Sequence, residues 1–192
     1  MVMMTTRETL LTVALQVLEK DGEAQFSTRA VCALAGVSAP TLYHHFGSAD
    51  GLLSAAMTEA FRQFLERKKA AVKSPDPETA LRQGWDDYVG FAADRPLLYA
   101  AMIARVLLGA RIPAAEEARQ LLMGRIAAIA ADGRLAMASP DAAADLAWGS
   151  AHAAALLHVT TVDRVTDPAV IAALRDHAIQ TICKPRPKEA LP

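Results

Sequence analysis

Between Ser27 and Leu53 the chain reads STRAVCALAGVSAPTLYHHFGSADGLL, and its punctuation admits few folds. Ser27 offers a side-chain oxygen to the amides that open a helix, and Phe26 before it can staple onto Val31. Thr28 to Ala35 predicts two turns, stopped by Gly36, which tolerates the left-handed cap conformation. Val37 is expected to turn into the core. Ser38 caps again, and Ala39 to Phe46 predicts a second helix with Pro40 in its first turn, where a missing amide costs little. Another helix starts behind Ser48. Two short helices joined by a tight turn constitute a helix-turn-helix.

Val37-Ser38-x-Pro40-Thr41-Leu42-Tyr43-x-His45-Phe46, followed by Gly47-Ser48-Ala49-Asp50-Gly51-Leu52-Leu53, resembles the head of the TetR family of bacterial one-component transcription regulators. The close likeness runs to about Leu65; beyond it only the helical layout is similar. The resemblance implies a homodimer whose two heads enter successive major grooves of a pseudo-palindromic operator in double-stranded DNA. It further implies a repressor released by a small, largely apolar effector bound in the body. Under it, Ser38, Ala39, Pro40, Thr41, Tyr43, His44 and His45 stand where the family contacts DNA, while Leu42 and Phe46 should face inward. Thr28 and Arg29 match the start of the first motif helix, where a hydroxyl meets phosphate and an arginine reaches a guanine edge. The bland alternative makes His44 and His45 a polar surface pair. Two positions depart from the family pattern: Ala49 replaces a phosphate-gripping lysine, and Gly51 replaces an acidic residue.

The rest of the chain predicts an all-α protein of about nine helices, a three-helix head on a larger helical-bundle body. Hydrophobic residues make up 53% of the 192, yet only 5% are aromatic, and much of the apolar content is alanine, a strong helix former. Thr5-x-x-Glu8 is a capping box for a first helix ending near Gly22. Ser74-Pro75-Asp76-Pro77 is the clear break in the helical pattern, and further helices are expected over 77–93, 96–108, 114–131, 140–161 and 168–184. The division read from this is a DNA-binding head over 1–48, a ligand-binding and dimerisation body over 49–184 with a linking helix at 49–73, and a flexible tail at 185–192. No apolar run reaches the ~18 residues of a membrane helix, and the N-terminus lacks a signal-peptide pattern, so a cytoplasmic protein without membrane partners is expected. Cys32 and Cys183 read as reduced thiols.

Within the body, Trp85, Tyr88, Tyr99, Met102, Ile103, Met123, Trp148 and His152 could line an effector pocket, with Arg105 or His152 as a polar handle. A plain apolar core explains the same spacing. The segment from Ala147 to His152 resembles a Trp-x-x-x-His-Gly motif of one TetR branch, with Ala153 in place of the glycine. Ala147, Ala151 and Ala154 repeat small residues along one predicted helix, and Ile171, Leu174, Ala178 and Ile182 stripe the next. Pairing across a two-fold axis would use both faces.

Catalytic and metal-binding patterns are absent: no phosphate loop, no nucleophile elbow, no paired metal-ligand spacing, hence no cofactor and no enzyme expected. Asp86-Asp87 reads as a solvated carboxylate pair. The net charge is −1, and residues 1–50 carry three Lys/Arg against five Asp/Glu, so a basic footprint is missing from the head. That deficit supports a second reading, a helical small-molecule or partner-binding protein without operator binding.

Overall fold

The computed structural model describes residues 4–160 and 166–185. Its elements are α1 (Thr6–Asp21), a 3-10 turn (Glu23–Gln25), α2 (Thr28–Ala35), α3 (Ala39–Phe46), α4 (Ala49–Ala71), α5 (Pro77–Asp94), α6 (Pro96–Leu107), α7 (Pro113–Ala131), α8 (Pro140–Thr160) and α9 (Pro168–Ile182). The fold is all-α, as the alanine-rich composition predicts. The expected tail falls almost wholly outside the described residues, as does the last residue expected for α8.

Packing divides the chain into two units. The first holds residues 1–64 and 94–114, the second 65–93 and 115–192. This division differs from the 48/49 boundary read from the sequence: it falls inside α4, and α6 joins the head.

In the first unit, α1 is fixed at its start by the capping box: Thr5 Oγ1 accepts from the Glu8 amide at 3.3 Å, and Glu8 returns a carboxylate to the Thr5 amide at 2.8 Å. Leu10, Val13, Ala14, Leu15, Val17 and Leu18 are buried, and α1 packs on α2, α3 and α6. Gly22, at a φ of 75°, ends the helix and starts the 3-10 turn, which the periodic pattern did not foretell. The start of α6 is held by Arg95, which pairs with Glu19 at 3.3 Å and donates to Gln63 at 3.0 Å.

In the second unit the core gathers Leu81 of α5, Leu122, Ile126 and Ile129 of α7, Ala143, Ala144 and Ala147 of α8, and Ile179 and Ile182 of α9. An antiparallel bridge, Leu135 to Cys183, ties the segment after α7 to the end of α9. This core corrects the dimer expectation for five residues. Ala147, Ala151, Ala154, Ala178 and Ile182 are buried within the unit itself, because the small side chains of α8 admit α9 closely. Ile171 and Leu174 remain half-buried. Of the Asp86-Asp87 pair, Asp86 is exposed as expected and takes Arg175 of α9 at 3.0 Å, while Asp87 turns inward to Arg67 of α4 at 2.7 Å.

Candidate functional site

The motif helices are built by their caps. Ser27 Oγ accepts from the Ala30 amide at 3.2 Å, and α2 ends at Gly36 with a φ of 66°, the left-handed value that favours glycine. Ser38 Oγ accepts from the Thr41 amide at 3.4 Å and lies 2.9 Å from the Thr41 hydroxyl. Val31 and Leu42 are fully buried and anchor the two helices, whereas Val37 is only half-buried, a correction to the inward turn expected of it.

With Leu42 inward, the opposite side of α3 faces outward. Ser38, Ala39, Pro40, Tyr43 and His44 are exposed, Tyr43 at 44%, and Thr41 and His45 are half-buried. The His44 and His45 rings meet edge-on at 5.3 Å. On α2, Thr28 is half-buried and Arg29 exposed. The nine residues expected at DNA therefore lie within two consecutive short helices and their connecting turn.

One cation escaped the sequence reading. Arg7, exposed in the first turn of α1, holds its guanidinium 5.2 Å from the Phe46 ring centroid at the end of α3. Phe46 is half-buried beneath it. Arg7 was missed because thirty-eight residues separate it from Phe46 and only the packing of α1 on α3 brings them together.

The departures at α4 have different explanations. A Cβ on Gly51 would stand 2.0 Å from the Phe46 carbonyl oxygen, so the first turn of α4 abuts the last carbonyl of α3 and a larger residue there requires the backbone to shift. Ala49 is exposed, and nothing in the structure requires alanine there.

The residues expected at an effector are divided between the units. In the first, Tyr99 and Met102 are buried, Ile103 is half-buried, and Arg105 pairs with Glu23 at 3.2 Å. In the second, Trp85 is buried and its Nε1 donates to Ser150 Oγ at 2.9 Å; Tyr88 is buried and Met123 packs against the core cluster. Trp148 turns outward, 43% exposed, and stacks on His152 at 5.2 Å with planes 6° apart. Burial holds His152 below the ordinary histidine range.

The second unit also gathers charges away from full exposure. Lys68 of α4 is 6% exposed, and burial, then the neighbouring Arg125, push its ammonium down to about 8 against the pull of Asp87. Its Nζ lies 5.6 Å from the Tyr88 ring centroid. Burial likewise lowers Arg125 of α7, with Asp87 opposing. Among the described residues no cluster of three or more His, Cys, Asp or Glu side chains could hold a metal ion.

Comparison with known proteins agrees with this geometry. The family described as "Bacterial regulatory proteins, tetR family" matches residues 10–56, which span α1, α2, α3 and the start of α4. The transcriptional regulatory protein RaaS of Mycobacterium tuberculosis is 46% identical over 55 residues, 29% of this chain and 26% of that protein. The transcriptional regulator BetI of Stenotrophomonas maltophilia is 33% identical over 78 residues, 40% of each chain. The chain thus spans about a quarter and two-fifths of these two relatives. Over nearly the full length, the crystal structure of a TetR-family transcriptional regulator from Pectobacterium atrosepticum is similar, with a TM-score of 0.66 at 27% identity, covering 91% of this chain and 88% of that one. Residues 10–56 thus match the helix-turn-helix head of the TetR family, and the helical fold of the chain is similar to that of a TetR-family structure.

Proposed function

We propose that the protein is a DNA-binding transcription regulator rather than an enzyme, acting as a homodimeric repressor that a small molecule releases from its operator. The observation that carries the reading is the outward row of α3, where Ser38, Ala39, Pro40, Tyr43 and His44 are exposed around the buried anchor Leu42. A helix so presented enters the major groove with its early residues at base edges. Thr41 and His45 complete that row, and Thr28, Arg29 and Arg7 supply phosphate or guanine contacts.

Dimerisation uses the faces of α8 and α9 that the core leaves open: Trp148 and Leu156 on α8, Val170, Ile171 and Leu174 on α9. The effector binds in the second unit beside Trp85 and Tyr88 and acts by favouring a conformation with lower operator affinity. No helix among the described residues is long and apolar enough to cross a membrane; we place the protein in the cytoplasm, where its operator would be.

The nearly neutral head and the exposed Ala49 favour a second reading, a helical binding protein that has lost its operator. A mobility-shift titration separates the two, using duplexes from the protein's own upstream region. Retardation of one pseudo-palindromic duplex that resists non-specific competitor supports the regulator. Equal, competitor-sensitive binding to every duplex supports the alternative.

A further inference from the structure

Two cationic side chains of α4, Arg67 and Lys68, and one of α7, Arg125, converge on a single turn of α5 within the second unit. The carboxylate among them is Asp87. Arg67 Nε donates to Asp87 Oδ1 at 2.7 Å, and the Asp87 side chain is only 10% exposed. Its other oxygen, Oδ2, is buried and accepts no hydrogen bond among the described residues. Arg125 forms no ion pair among the described residues. Its Nη2 donates to the main-chain carbonyl of Lys68 at 3.4 Å, a long bond, and its Nη1 fills the space above Gly84, where a Cβ would stand 1.8 Å away. Glycine inside a helix costs about 1 kcal/mol relative to alanine. At position 84 that cost leaves room for a guanidinium.

This is an incomplete polar site. A partly buried guanidinium without a carboxylate of its own carries a desolvation penalty that its protein partners do not offset. A buried carboxylate oxygen with no donor is a second deficit a few residues along the same helix. We propose that Arg125, with Lys68 beside it, binds the carboxylate of an organic-acid effector, and that Asp87 Oδ2 accepts a hydrogen bond from a donor group on the same molecule. The proposal rests on the effector-responsive reading above and narrows it: the effector is acidic at one end and not merely apolar. A carboxylate suits the site better than a phosphate. The guanidinium fork matches two coplanar oxygens, and Asp87 nearby repels a second negative charge. Tyr88, one turn along α5 from Gly84, is buried with Lys68 Nζ 5.6 Å from its ring centroid, which sets an aromatic ring beside the charged groups.

The test titrates benzoate, 3-hydroxybenzoate and neutral benzamide into the full-length protein at constant ionic strength, following the thermal unfolding midpoint and tryptophan fluorescence. Benzoate should raise the midpoint through preferential binding to the folded state. 3-Hydroxybenzoate, whose hydroxyl is free to donate, should raise it further, and benzamide and equimolar chloride should leave it unchanged. Arg125→Gln should weaken benzoate binding at least tenfold, with partial recovery in Arg125→Lys. Asp87→Asn should remove only the gain from the hydroxyl. Should Arg125→Gln fail to fold, judged by its helical circular dichroism, Gly84→Ala keeps every charge and displaces the guanidinium, so it should lose benzoate in the same way. Equal stabilisation by benzamide or by chloride overturns the proposal, as does undiminished benzoate binding in folded Arg125→Gln or Gly84→Ala protein. Operator retardation by ligand-free wild type is measured alongside. Retardation without benzoate binding sinks only the acid site, and benzoate binding without retardation sinks only the regulator.

Discussion

The weak charge of the head makes a quantitative prediction for the proposed DNA binding. Residues 1–50 carry Arg7, Lys20 and Arg29. Arg29 is exposed in the first turn of α2, and Arg7 is exposed beside Phe46 at the end of α3. Lys20, in the last turn of α1, lies thirteen residues from Arg7, roughly 20 Å along the helix axis. Two cations per head can therefore reach phosphates next to the motif, four in a dimer. Each neutralised phosphate contributes about −0.9 to the slope of log affinity against log salt, so the expected slope is about −3.6. Raising salt from about 50 to about 200 mM should then weaken operator binding ~150-fold. Arg7→Gln removes two of the four contacts; its slope should fall to about −1.8 and the loss over the same range to ~12-fold. Fluorescence anisotropy on one labelled duplex, at several salt concentrations and fixed pH, measures both. An Arg7→Gln slope equal to that of wild type would remove Arg7 from the interface. A wild-type slope steeper than about −6 would show that cations outside the head carry the binding.

Three further outcomes follow from the geometry. Gly51→Ala gains helix propensity worth about 1 kcal/mol but drives a Cβ into the Phe46 carbonyl, so urea denaturation should show a net loss of about 1–2 kcal/mol; an unchanged midpoint would mean the α3–α4 corner yields freely. Lys68, lowered to about 8 from 10.5, binds fewer protons folded than unfolded between those values, so its contribution makes stability rise with pH across that window. With Arg125, Asp87 and Tyr88 left in place, Lys68→Met should remove that rise and stabilise the protein near pH 7 by on the order of 1–3 kcal/mol, read from denaturation curves at pH 7 and 10; a wild-type pH profile in the variant would reject the buried charge. Leu156→Glu puts a charge on the open face of α8 and should yield monomers in sedimentation equilibrium, whereas Ala151→Ser, inside the unit's own core, should lower stability without changing assembly; monomeric wild type at micromolar concentration would refute the dimer.

Helix boundaries were legible because caps are local. Thr5 with Glu8, Ser27, Gly36, Ser38 and Asp167 each fix an end through neighbours a few residues away, and the structure places these ends within a residue or two of expectation. What covers a face is not local. A row of alanines along α8 states that something approaches closely, and α9 of the same chain satisfies it as well as a second copy would. The polar site of the second unit lies further still from sequence reasoning. Lys68 and Lys69 are adjacent at the end of α4, yet Lys69 reaches exposed Glu66 and Glu117 while Lys68 is buried against Tyr88. A rotation of about 100° between neighbours on a helix decides which lysine stays in water. Arg125 owes its position to a side chain that is missing: without a Cβ at Gly84, the helix surface has a notch the width of a guanidinium. In sequence Gly84 is a weak spot in a helix. Only with α7 packed beside α5 does that weakness become the space that a partly buried guanidinium fills.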